Sequence, residues 1–353
     1  MKIGKVLVTG GAGFIGCALA NKLAQTSERW VVLDSLHPQV HSTPGRPVDL
    51  HPDAELIVGD VTDPAVWDSV LSDFQPDIVI HLAAETGTAQ SLDEASRHSR
   101  VNVVGTTEMT DAFGRSGHLP AHVLLSSSRA VYGEGRWEKE SGEIYLPGQR
   151  SHAQFEAGQW DFPKAHPLPS SAITTVPAPT SVYGATKLAQ EHILNAWGAA
   201  RDVPVTILRL QNVYGPGQSL TNSYTGIVSL FSQLARALET IPLYEDGRIV
   251  RDFVFIDDVA SAFVAAISAG PEVGRAPVDI GSGIATTIEE MASVIARYYG
   301  APTPVVNGRY RDGDVRSASA TVDAAAGNLG WTPEWSLADG IASLQEWIQK
   351  EKP

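Results

Sequence analysis

The chain has 353 residues, of which 43% are hydrophobic and 19% charged, so it can form one large globular domain or two smaller ones. Its 40 acidic residues outnumber 26 basic ones, and the net charge of −14 argues against nucleic acid or an anionic membrane as a partner. The one cysteine, Cys17, excludes an intrachain disulfide and a thiolate metal cluster. The lack of an apolar leader or of an apolar run of about 18 residues predicts a cytoplasmic protein with no membrane span.

The first predicted elements are a short apolar strand, a glycine-rich turn and a helix over residues 14–26. Gly10, Gly13 and Gly16 have the spacing that permits a tight turn, a close approach of backbone amides to phosphates, and close packing of the helix. Asp34 ends the next apolar run, 18 residues after Gly16, where an acid can bind the adenosine ribose. This order predicts a dinucleotide site. It favours NAD over NADP, because Asp34 would repel a 2′-phosphate.

Short apolar strands alternate with helical patterns through the first half of the chain. This alternation predicts an α/β fold, a Rossmann-type doubly wound parallel sheet with a smaller C-terminal substrate-binding lobe. We expect residues 1–210 to form the NAD-binding domain, and residues 211–353 to form mainly the lobe, with some segments returning to the Rossmann core. The predicted strands are 5–9, 30–34, 55–59, 77–82, 121–127 and 205–210. The predicted helices are 14–26, 63–73, 97–116, 182–201, 287–299 and 337–350, the fifth opened by a capping box at Thr287 and Glu290.

Residues 134–179 interrupt this pattern with a long insert that is first rich in glycine and then in proline. Aromatic side chains are costly to leave in water, so the four in this insert indicate an ordered segment rather than a tether. The insert begins just after three serines and ends just before Tyr183. We therefore predict that it folds over one end of the ligand crevice as a lid, the alternative being a surface loop or a decoration of a dimer. The four aromatic residues are Trp137, Phe155, Trp160 and Phe162.

Two local patterns carry candidate chemistry. Tyr183 and Lys187 are four residues apart in a predicted helix, which places them on one helix face. A cation beside the phenol, together with an oxidised nicotinamide, would lower the tyrosine pKa toward neutrality and make a general base for an alcohol. Ser126 to Ser128 end an apolar strand, and strand ends of this kind face the ligand crevice of a parallel sheet. A serine there could form a hydrogen bond with the reacting hydroxyl and relay its proton to Tyr183. We predict Tyr183, Lys187 and one of these serines as catalytic; a surface Tyr/Lys pair and turn-capping serines are the alternatives.

Motifs along nearly the whole chain resemble those of the extended short-chain dehydrogenase/reductases, in the NAD-dependent epimerase/dehydratase family. Besides the glycine turn, the triple serine and the Tyr183/Lys187 pair, the segments that appear in family order are 59–61, 81–84, 102–106, 208–217, 251–259 and 330–333. The resemblance implies NAD as cofactor, a nucleotide-diphosphate sugar as substrate, and a homodimer built from helices 97–116 and 182–201.

The family's residue roles transfer position by position, and Ser128, Tyr183 and Lys187 match its catalytic trio. The predicted cofactor contacts are Gly10, Gly13, Phe14, Ile15, Gly16, Asp34, Asp60, Val61, Leu82, Ala83, Ala84, Asn102, Ser126, Tyr183 and Lys187. The predicted substrate contacts are Ser128, Asn212, Arg251, Arg311 and Asp314. Arginine suits this task because its planar fork binds phosphate bidentately, the alternative for Arg251 and Arg311 being a surface salt bridge.

The resemblance also bears on the reaction. Nucleotide-sugar 4,6-dehydratases of the family carry an Asp-Glu pair after the serine, where this chain has Arg129 and Ala130. A 4-epimerase needs only one base and one hydride carrier, and it works by transient oxidation at C4 through a 4-keto intermediate. The insert resembles that of dTDP-L-rhamnose 4-epimerases, while UDP-glucose, UDP-N-acetylglucosamine and a uronic acid stay open, since Ala318 leaves room at C2. An NAD(P)-dependent reductase, a 4,6-dehydratase and a non-catalytic NAD-binding sensor are the alternatives.

Three further patterns are interpreted as structural. His118 and His122 have the spacing of a metal pair, but Pro120 between them argues against a helix, so we expect no metal site. Asp257 and Asp258 are expected to cap the helix that follows them. The apolar residues expected to supply the dimer contact are Val101, Val104, Met109, Ile193, Leu194 and Trp197.

Overall fold

The computed structural model describes residues 3–41, 45–220 and 226–351. The strands are β1 (Lys5–Thr9), β2 (Arg29–Asp34), β3 (Glu55–Val58), β4 (Ile78–His81), β5 (His122–Ser128), β6 (Trp137–Lys139), β7 (Ile144–Tyr145), β8 (Ala165–Pro167), β9 (Val205–Leu210), β10 (Asn212–Tyr214), β11 (Pro242–Leu243), β12 (Val250–Arg251), β13 (Phe253–Phe255), β14 (Val278–Ile280), β15 (Thr286–Thr287), β16 (Val305–Val306) and β17 (Ser317–Ala318). The helices are α1 (Phe14–Thr26), α2 (Pro64–Asp73), α3 (Gln90–Asp93), α4 (Ala95–Ser99), α5 (Gly105–Ser116), α6 (His152–Glu156), α7 (Val182–Arg201), α8 (Ile227–Arg236), α9 (Ile256–Ser268), α10 (Ile288–Tyr299), α11 (Asp323–Leu329) and α12 (Leu337–Glu351). A π-helical turn (Arg100–Val104) precedes α5, and a 3-10 turn (Arg129–Tyr132) follows β5.

A seven-stranded sheet with the order β14-β9-β5-β4-β1-β2-β3 forms the centre of the molecule, and every pair of neighbouring strands is parallel. One face of the sheet packs against α1 and α9, through side chains such as Leu19 and Phe263. The other face packs against α2, α5 and α7, through side chains such as Trp67, Phe113 and Leu194. Because helices cover both faces, the strands are continuously apolar. The predicted doubly wound Rossmann-type sheet is confirmed.

The predicted elements of the first half agree with the structure to within one residue, except for helix 97–116. That segment is divided into α4, the π-helical turn and α5. Asn102 lies in the π-helical turn, and its side-chain amide donates to the Thr186 hydroxyl at 2.9 Å and to the Glu85 carbonyl at 3.0 Å. Such turns are typical of functional positions, and this one directs a polar side chain toward α7. The capping box of Thr287 and Glu290 is confirmed at the start of α10.

A third apolar cluster lies beyond the central sheet, among α8, α10 and α12. The division at residues 210 and 211 stays a prediction. The expected capping by Asp257 and Asp258 is wrong, because both lie inside the first turn of α9, after the N-cap residue Phe255. Asp258 instead accepts hydrogen bonds from the backbone amides of Glu334 and Trp335, at 3.0 and 3.1 Å.

Two of the residues expected at a dimer contact are buried within the chain itself. Met109 of α5 and Leu194 of α7 have no exposed surface and pack in the cluster beneath the sheet. They are therefore wrong as candidates for a contact with a second subunit. Val104 is 42% exposed, and the other three candidates are partly exposed.

The insert 134–179 is folded in the structure. Strand β6 pairs antiparallel with both β7 and β8, and Trp137, Phe155 and Phe162 are buried. A Cβ at Gly133, just before the insert, would collide with the Ala178 carbonyl oxygen, so the two ends of the insert are in contact.

A buried group of charges, here called the insert charge cluster, consists of Glu134, Arg150, Glu245 and Arg316. The Arg150 guanidinium binds both carboxylate oxygens of Glu245 at 2.9 Å and lies 3.4 Å from Glu134. Arg316 binds Glu245 at 3.0 Å, and its backbone amide donates to Glu134 at 2.9 Å. Burial raises the pKa of Glu134 to about 7. The cluster ties the insert to two segments of the C-terminal part of the chain.

We expect Arg150→Met to lower the free energy of unfolding by about 3 kcal/mol or more, because it removes one partner of a buried ion pair. The measurement is urea unfolding followed by circular dichroism. Lys139→Met is the matched control within the insert: its ion pair with Glu143 is exposed on both sides and is worth about 1 kcal/mol at most. Equal losses for the two variants would contradict the role of the cluster.

Candidate active site

The glycine turn after β1 is held by backbone contacts that exclude side chains. Gly10 has a φ of 66°, and a Cβ there would lie 2.6 Å from the amide nitrogen of Ala83. A Cβ at Gly16 would collide with the Gly11 carbonyl oxygen. Gly16 therefore allows α1 to pack closely against the turn that follows β1. At both positions only glycine fits without a shift of the backbone.

Gly13 has a different environment from the other two glycines. It is the N-cap residue of α1, and the nearest neighbour of a Cβ there would be the Gly10 carbonyl oxygen, at 3.3 Å. Among the described residues no side chain caps α1, so its first amide groups and positive dipole end can receive an anion. The space beside Gly13, here called the phosphate cradle, would be partly filled by a Cβ and adjoins the uncapped N-terminus of α1. Such a space fits the pyrophosphate of a dinucleotide. Phe14 and Ile15 are the first two residues of this helix.

Asp34 lies at the end of β2, next to the glycine turn. Its carboxylate accepts hydrogen bonds from the backbone amides of Ala12 at 3.0 Å and Leu36 at 2.9 Å, which fix its orientation. A carboxylate has about four acceptor sites, so two remain for ribose hydroxyls. Asp60 and Val61 follow β3 at the same edge of the sheet. The ribose and adenine roles of these residues stay predictions.

The segment Leu82–Ala84 follows β4 and passes close to the glycine turn. The Thr9 hydroxyl accepts a hydrogen bond from the Ala83 amide at 3.3 Å. Asn102 is fully buried, and its side-chain oxygen accepts from the Glu85 amide at 2.7 Å. Its side-chain amide group also donates to Glu85 and to Thr186 of α7, so Asn102 holds the segment after β4 against α7. We infer that it shapes the cofactor pocket.

The predicted catalytic residues come from two elements that meet at the carboxyl edge of the sheet. Ser128 ends β5, and Tyr183 lies in the first turn of α7, whose N-cap is Ser181. A Cβ at Gly184 would collide with the Ala130 carbonyl oxygen, so this glycine lets the two elements touch. Burial raises the pKa of Tyr183 above its usual value, while a hydrogen bond with Ser128 lowers it.

Lys187 is one turn further along α7 and is buried. Its ammonium donates to the Gln190 side-chain oxygen at 2.8 Å, and Gln190 donates to the Thr106 hydroxyl at 2.7 Å. His81 continues this buried chain, with 3.0 Å between its Nε2 atom and the same hydroxyl. Burial lowers the pKa of Lys187 to about 7 and that of His81 to about 3. The role expected of Lys187, to lower the pKa of Tyr183 together with an oxidised nicotinamide, stays a prediction.

The three consecutive serines have different surroundings. Ser127 donates to Glu191, which forms a buried bidentate ion pair with Arg209 at 2.9 and 2.7 Å. Ser127 therefore fixes β5 to α7. Ser126 is buried, and its contact with a cofactor stays a prediction. Of the three, Ser128 is the serine whose side chain lowers the pKa of Tyr183.

Besides Ser128, the predicted substrate residues come from three segments that follow α7 in the chain. Arg251 donates to the Asp314 carboxylate at 2.7 Å and to the Val315 carbonyl at 3.0 Å. The side-chain oxygen of Asn212 accepts from Arg129 at 2.8 Å. The exposed Arg311 is less close-packed, with its guanidinium 5.3 Å from the centre of the Tyr244 ring. The cleft that these segments border is lined by Thr88, Arg129, Thr180, Ser181, Gly313 and Asp314.

Sequence reasoning misses Arg129 as a constituent of the site, because it treats this arginine only as a residue that cannot replace a dehydratase acid. Its position directly after the triple serine is the available signal. The buried chain from Lys187 to His81 is also missed. His118 and His122 each contact a separate partner, the Pro76 carbonyl and the Thr206 hydroxyl, both at 2.8 Å.

Comparisons with a family model and with known proteins indicate the same family. The model of the NAD dependent epimerase/dehydratase family matches residues 6–281. A dTDP-L-rhamnose 4-epimerase from Burkholderia thailandensis is 63% identical over 347 residues, which cover 98% of this chain and 95% of that protein. Within the described residues, no helix is both long and apolar enough to cross a membrane.

Two solved structures resemble the whole chain. UDP-glucose 4-epimerase from Thermotoga maritima, solved with UDP-glucose, has a TM-score of 0.82 and 28% identity, covering 99% of this chain and 100% of that one. UDP-glucose 4-epimerase from Thermus thermophilus, solved with NAD, has a TM-score of 0.76 and 26% identity, covering 98% of this chain and 99% of that one.

We expect Gly13→Ala to weaken NAD binding about tenfold or more, because the added methyl group enters the phosphate cradle. The free energy of unfolding should change by about 1 kcal/mol or less, the usual range for an N-cap position. Isothermal titration calorimetry and urea unfolding measure the two effects. Gly114→Ala is the control in an exposed part of α5, where a Cβ meets nothing within 4 Å. Unchanged NAD affinity in Gly13→Ala would contradict the assignment of the cradle.

Proposed function

This chain belongs to the NAD-dependent epimerase/dehydratase family, and we propose that it is a nucleotide-sugar 4-epimerase acting on dTDP-L-rhamnose. Its cofactor is NAD. The observation that carries the proposal is the backbone contact between the turn after Ser128 and the first turn of α7, which contains Tyr183, at the same sheet edge as the glycine turn. The 63% identity with the Burkholderia enzyme supports dTDP-L-rhamnose as the sugar nucleotide.

The chemistry needs one base at C4 and one hydride carrier. Bound NAD supplies the hydride acceptor and then the hydride donor. Tyr183, as the phenolate, takes the proton of the C4 hydroxyl while hydride leaves C4, and C4 becomes a ketone. Ser128 holds the oxygen in place. On return, Tyr183 gives its proton back to the oxygen as hydride adds to the opposite face of C4, so the sugar is epimerised with no net oxidation.

Arg251 is the residue that we propose to bind the diphosphate of the substrate. Arg251 is held by Asp314 and by backbone carbonyls, so its guanidinium is fixed in orientation for a diphosphate. Dehydration is disfavoured, because neither Arg129 nor Ala130 can act as the acid and base that an elimination requires.

The insert acts as a cover on this end of the cleft. Its Phe155 ring stacks on Tyr310, with centres 5.1 Å apart and planes at 12°. Its Arg150 donates to the Asp314 carbonyl at 2.8 Å. Because Arg311 and Asp314 lie in the segment so held, the insert fixes the predicted substrate residues and narrows the choice of sugar.

We expect Tyr183→Phe to lower kcat about 100-fold or more with dTDP-L-rhamnose, because it removes the proton acceptor and little volume. Affinity for NAD and for dTDP should change little. The measurement is conversion to dTDP-6-deoxy-L-talose, followed by chromatography. Tyr298→Phe, at a tyrosine that is 40% exposed, is the control and should keep the wild-type rate. A rate above about a tenth of wild type in Tyr183→Phe would show that another group is the base.

We also propose a homodimer in which α5 and α7 of each subunit form a four-helix bundle across a two-fold axis. The candidate contacts that remain are Val101, Val104, Ile193 and Trp197, which are at least partly exposed. Val101 and Val104 lie in the π-helical turn before α5, and Ile193 and Trp197 lie on α7. Exposed apolar side chains of this kind are what a second copy would cover. The cytoplasmic location stays a prediction.

Light scattering at micromolar concentration should give twice the monomer mass of 37.6 kDa for the wild type. Val104→Glu should shift the mass toward the monomer, because a carboxylate would be buried in the bundle. Val273→Glu, at a valine 45% exposed in a turn after α9, should leave the dimer intact. A monomer mass for the wild type would rule out this assembly.

A further inference from the structure

Gln190 is a fully buried residue of α7, three positions after Lys187. Its side-chain oxygen accepts a hydrogen bond from the Lys187 ammonium at 2.8 Å. Its side-chain amide donates to the hydroxyl of Thr106, on α5, at 2.7 Å. Both polar atoms of the side chain are therefore used. One contacts a predicted catalytic residue, and the other contacts a neighbouring helix.

The Thr106 hydroxyl determines which way the Gln190 amide faces. Thr106 donates its proton to the Asn102 carbonyl at 2.6 Å, so toward Gln190 its oxygen can only accept. The NH2 group of Gln190 must therefore face Thr106, and the carbonyl oxygen must face Lys187. Rotation of this amide by half a turn would place two acceptors against each other, and the NH2 group against the ammonium.

His81 occupies the remaining acceptor site of the Thr106 oxygen. Its Nε2 atom lies 3.0 Å from that oxygen and carries the hydrogen, because the Thr106 proton is already donated. Its Nδ1 atom accepts from the Thr9 hydroxyl at 2.7 Å. Burial and the charge of Lys187 lower the pKa of His81 to about 3, so the ring is neutral. The Thr106 proton is thus kept away from Gln190 by a complete set of partners.

The charged and titratable groups around Lys187 do not fully compensate its burial. Burial lowers the pKa of Lys187 to about 7, and the carboxylate of Glu191 opposes this shift. Glu191 is itself bound by Arg209 in a bidentate ion pair, at 2.9 and 2.7 Å. His81 is neutral, and burial raises the pKa of Tyr183. An oxygen that accepts from the ammonium therefore contributes to keeping the lysine charged.

We propose that Gln190 is a positioning residue that holds the ammonium of Lys187, in an orientation set by Thr106 and His81. The proposal rests on the proposed function for its catalytic meaning. An ammonium has three donors, of which Gln190 takes one, so two can serve a bound cofactor. The hydrogen-bond chain runs from α7 through α5 to β4, and the segment after β4 passes close to the glycine turn.

The first experiment measures the free energy of unfolding in urea, without cofactor or substrate. Gln190→Met keeps the volume and removes both polar atoms, so the pKa of Lys187 in the folded protein should fall by about one unit. The loss of stability should be larger at about pH 5.5, where the lysine is charged in the folded wild type, than at about pH 9, where it is neutral in both folded proteins. The difference should approach about 1.4 kcal/mol, the equivalent of one pKa unit.

Gln345→Met is the matched control. Gln345 is a fully buried glutamine of α12 that accepts from the Tyr299 hydroxyl at 2.9 Å and donates to the Ser232 hydroxyl at 2.8 Å. Because neither partner is charged, its loss of stability should be the same at both pH values. A loss in Gln190→Met that is equally independent of pH overturns the proposal and makes Gln190 a packing residue.

Thr106→Val tests the orientation of the amide, and it also serves if Gln190→Met does not fold. It keeps the volume and removes the hydroxyl that fixes Gln190. We expect the same dependence of the stability loss on pH, with a smaller magnitude. A loss that does not vary with pH in Thr106→Val overturns the role of this hydroxyl.

The second experiment measures kcat with dTDP-L-rhamnose, and NAD affinity by calorimetry. At about pH 8, kcat of Gln190→Met should fall about tenfold, since a pKa lower by one unit reduces the charged fraction of Lys187 by that factor. The loss should be smaller at lower pH, and Gln345→Met should keep the wild-type values. Wild-type kcat and NAD affinity in Gln190→Met would overturn the proposal. If the wild type does not convert dTDP-L-rhamnose, the proposed function fails, and the unfolding and NAD measurements still decide the role of Gln190.

Discussion

Contacts between main chains, with no side chain between them, set the geometry of this site. Gly10 lies against the chain after β4, and Gly184 lies against the turn after β5. At each position a single Cβ would come within 2.6 Å of backbone atoms, so the spacing cannot relax by rotation of a side chain. The cofactor turn, Ser128 and Tyr183 are consequently held at fixed distances by the sheet and its two neighbouring helices. Chemistry that depends on tenths of an ångström requires a frame of this kind.

The second constraint on this structure is the burial of several charged side chains. Lys187 and the insert charge cluster are buried and Arg129 is partly buried, and a buried charge destabilises the fold when it is unpaired. The charges of the insert charge cluster are paired with one another, and Arg316 also binds Asp161 and Asp246, at 2.8 and 2.7 Å. Lys187 and Arg129 have neutral hydrogen-bond partners instead. The insert charge cluster ties the insert to the C-terminal part of the chain, whereas Lys187 and Arg129 belong to the two elements that meet at the proposed active site.

The sequence predicts the central sheet well, because strands covered on both faces must be continuously apolar. It does not predict contacts between residues that are distant in sequence. Arg150 and Glu245 of the insert charge cluster are 95 residues apart, and Arg129 and Asn212 are 83 residues apart. Strands of two residues, such as β12 and β17, are too short to show a periodic pattern of apolar and polar residues. Asp258 is wrongly predicted as a cap because an aspartate at a helix start has the same local pattern whether it binds its own helix or a distant loop.

The contact between the two ends of the insert has a consequence for how such enzymes diversify. Gly133 touches the Ala178 carbonyl, so the chain leaves the sheet after β5 and returns to the start of α7 through nearly the same point. The closure cost of a loop grows only slowly with its length. Segments of different length and composition can therefore be exchanged at this junction while the serine and tyrosine keep their places. Substrate range and catalytic chemistry can consequently evolve as separate modules within one chain.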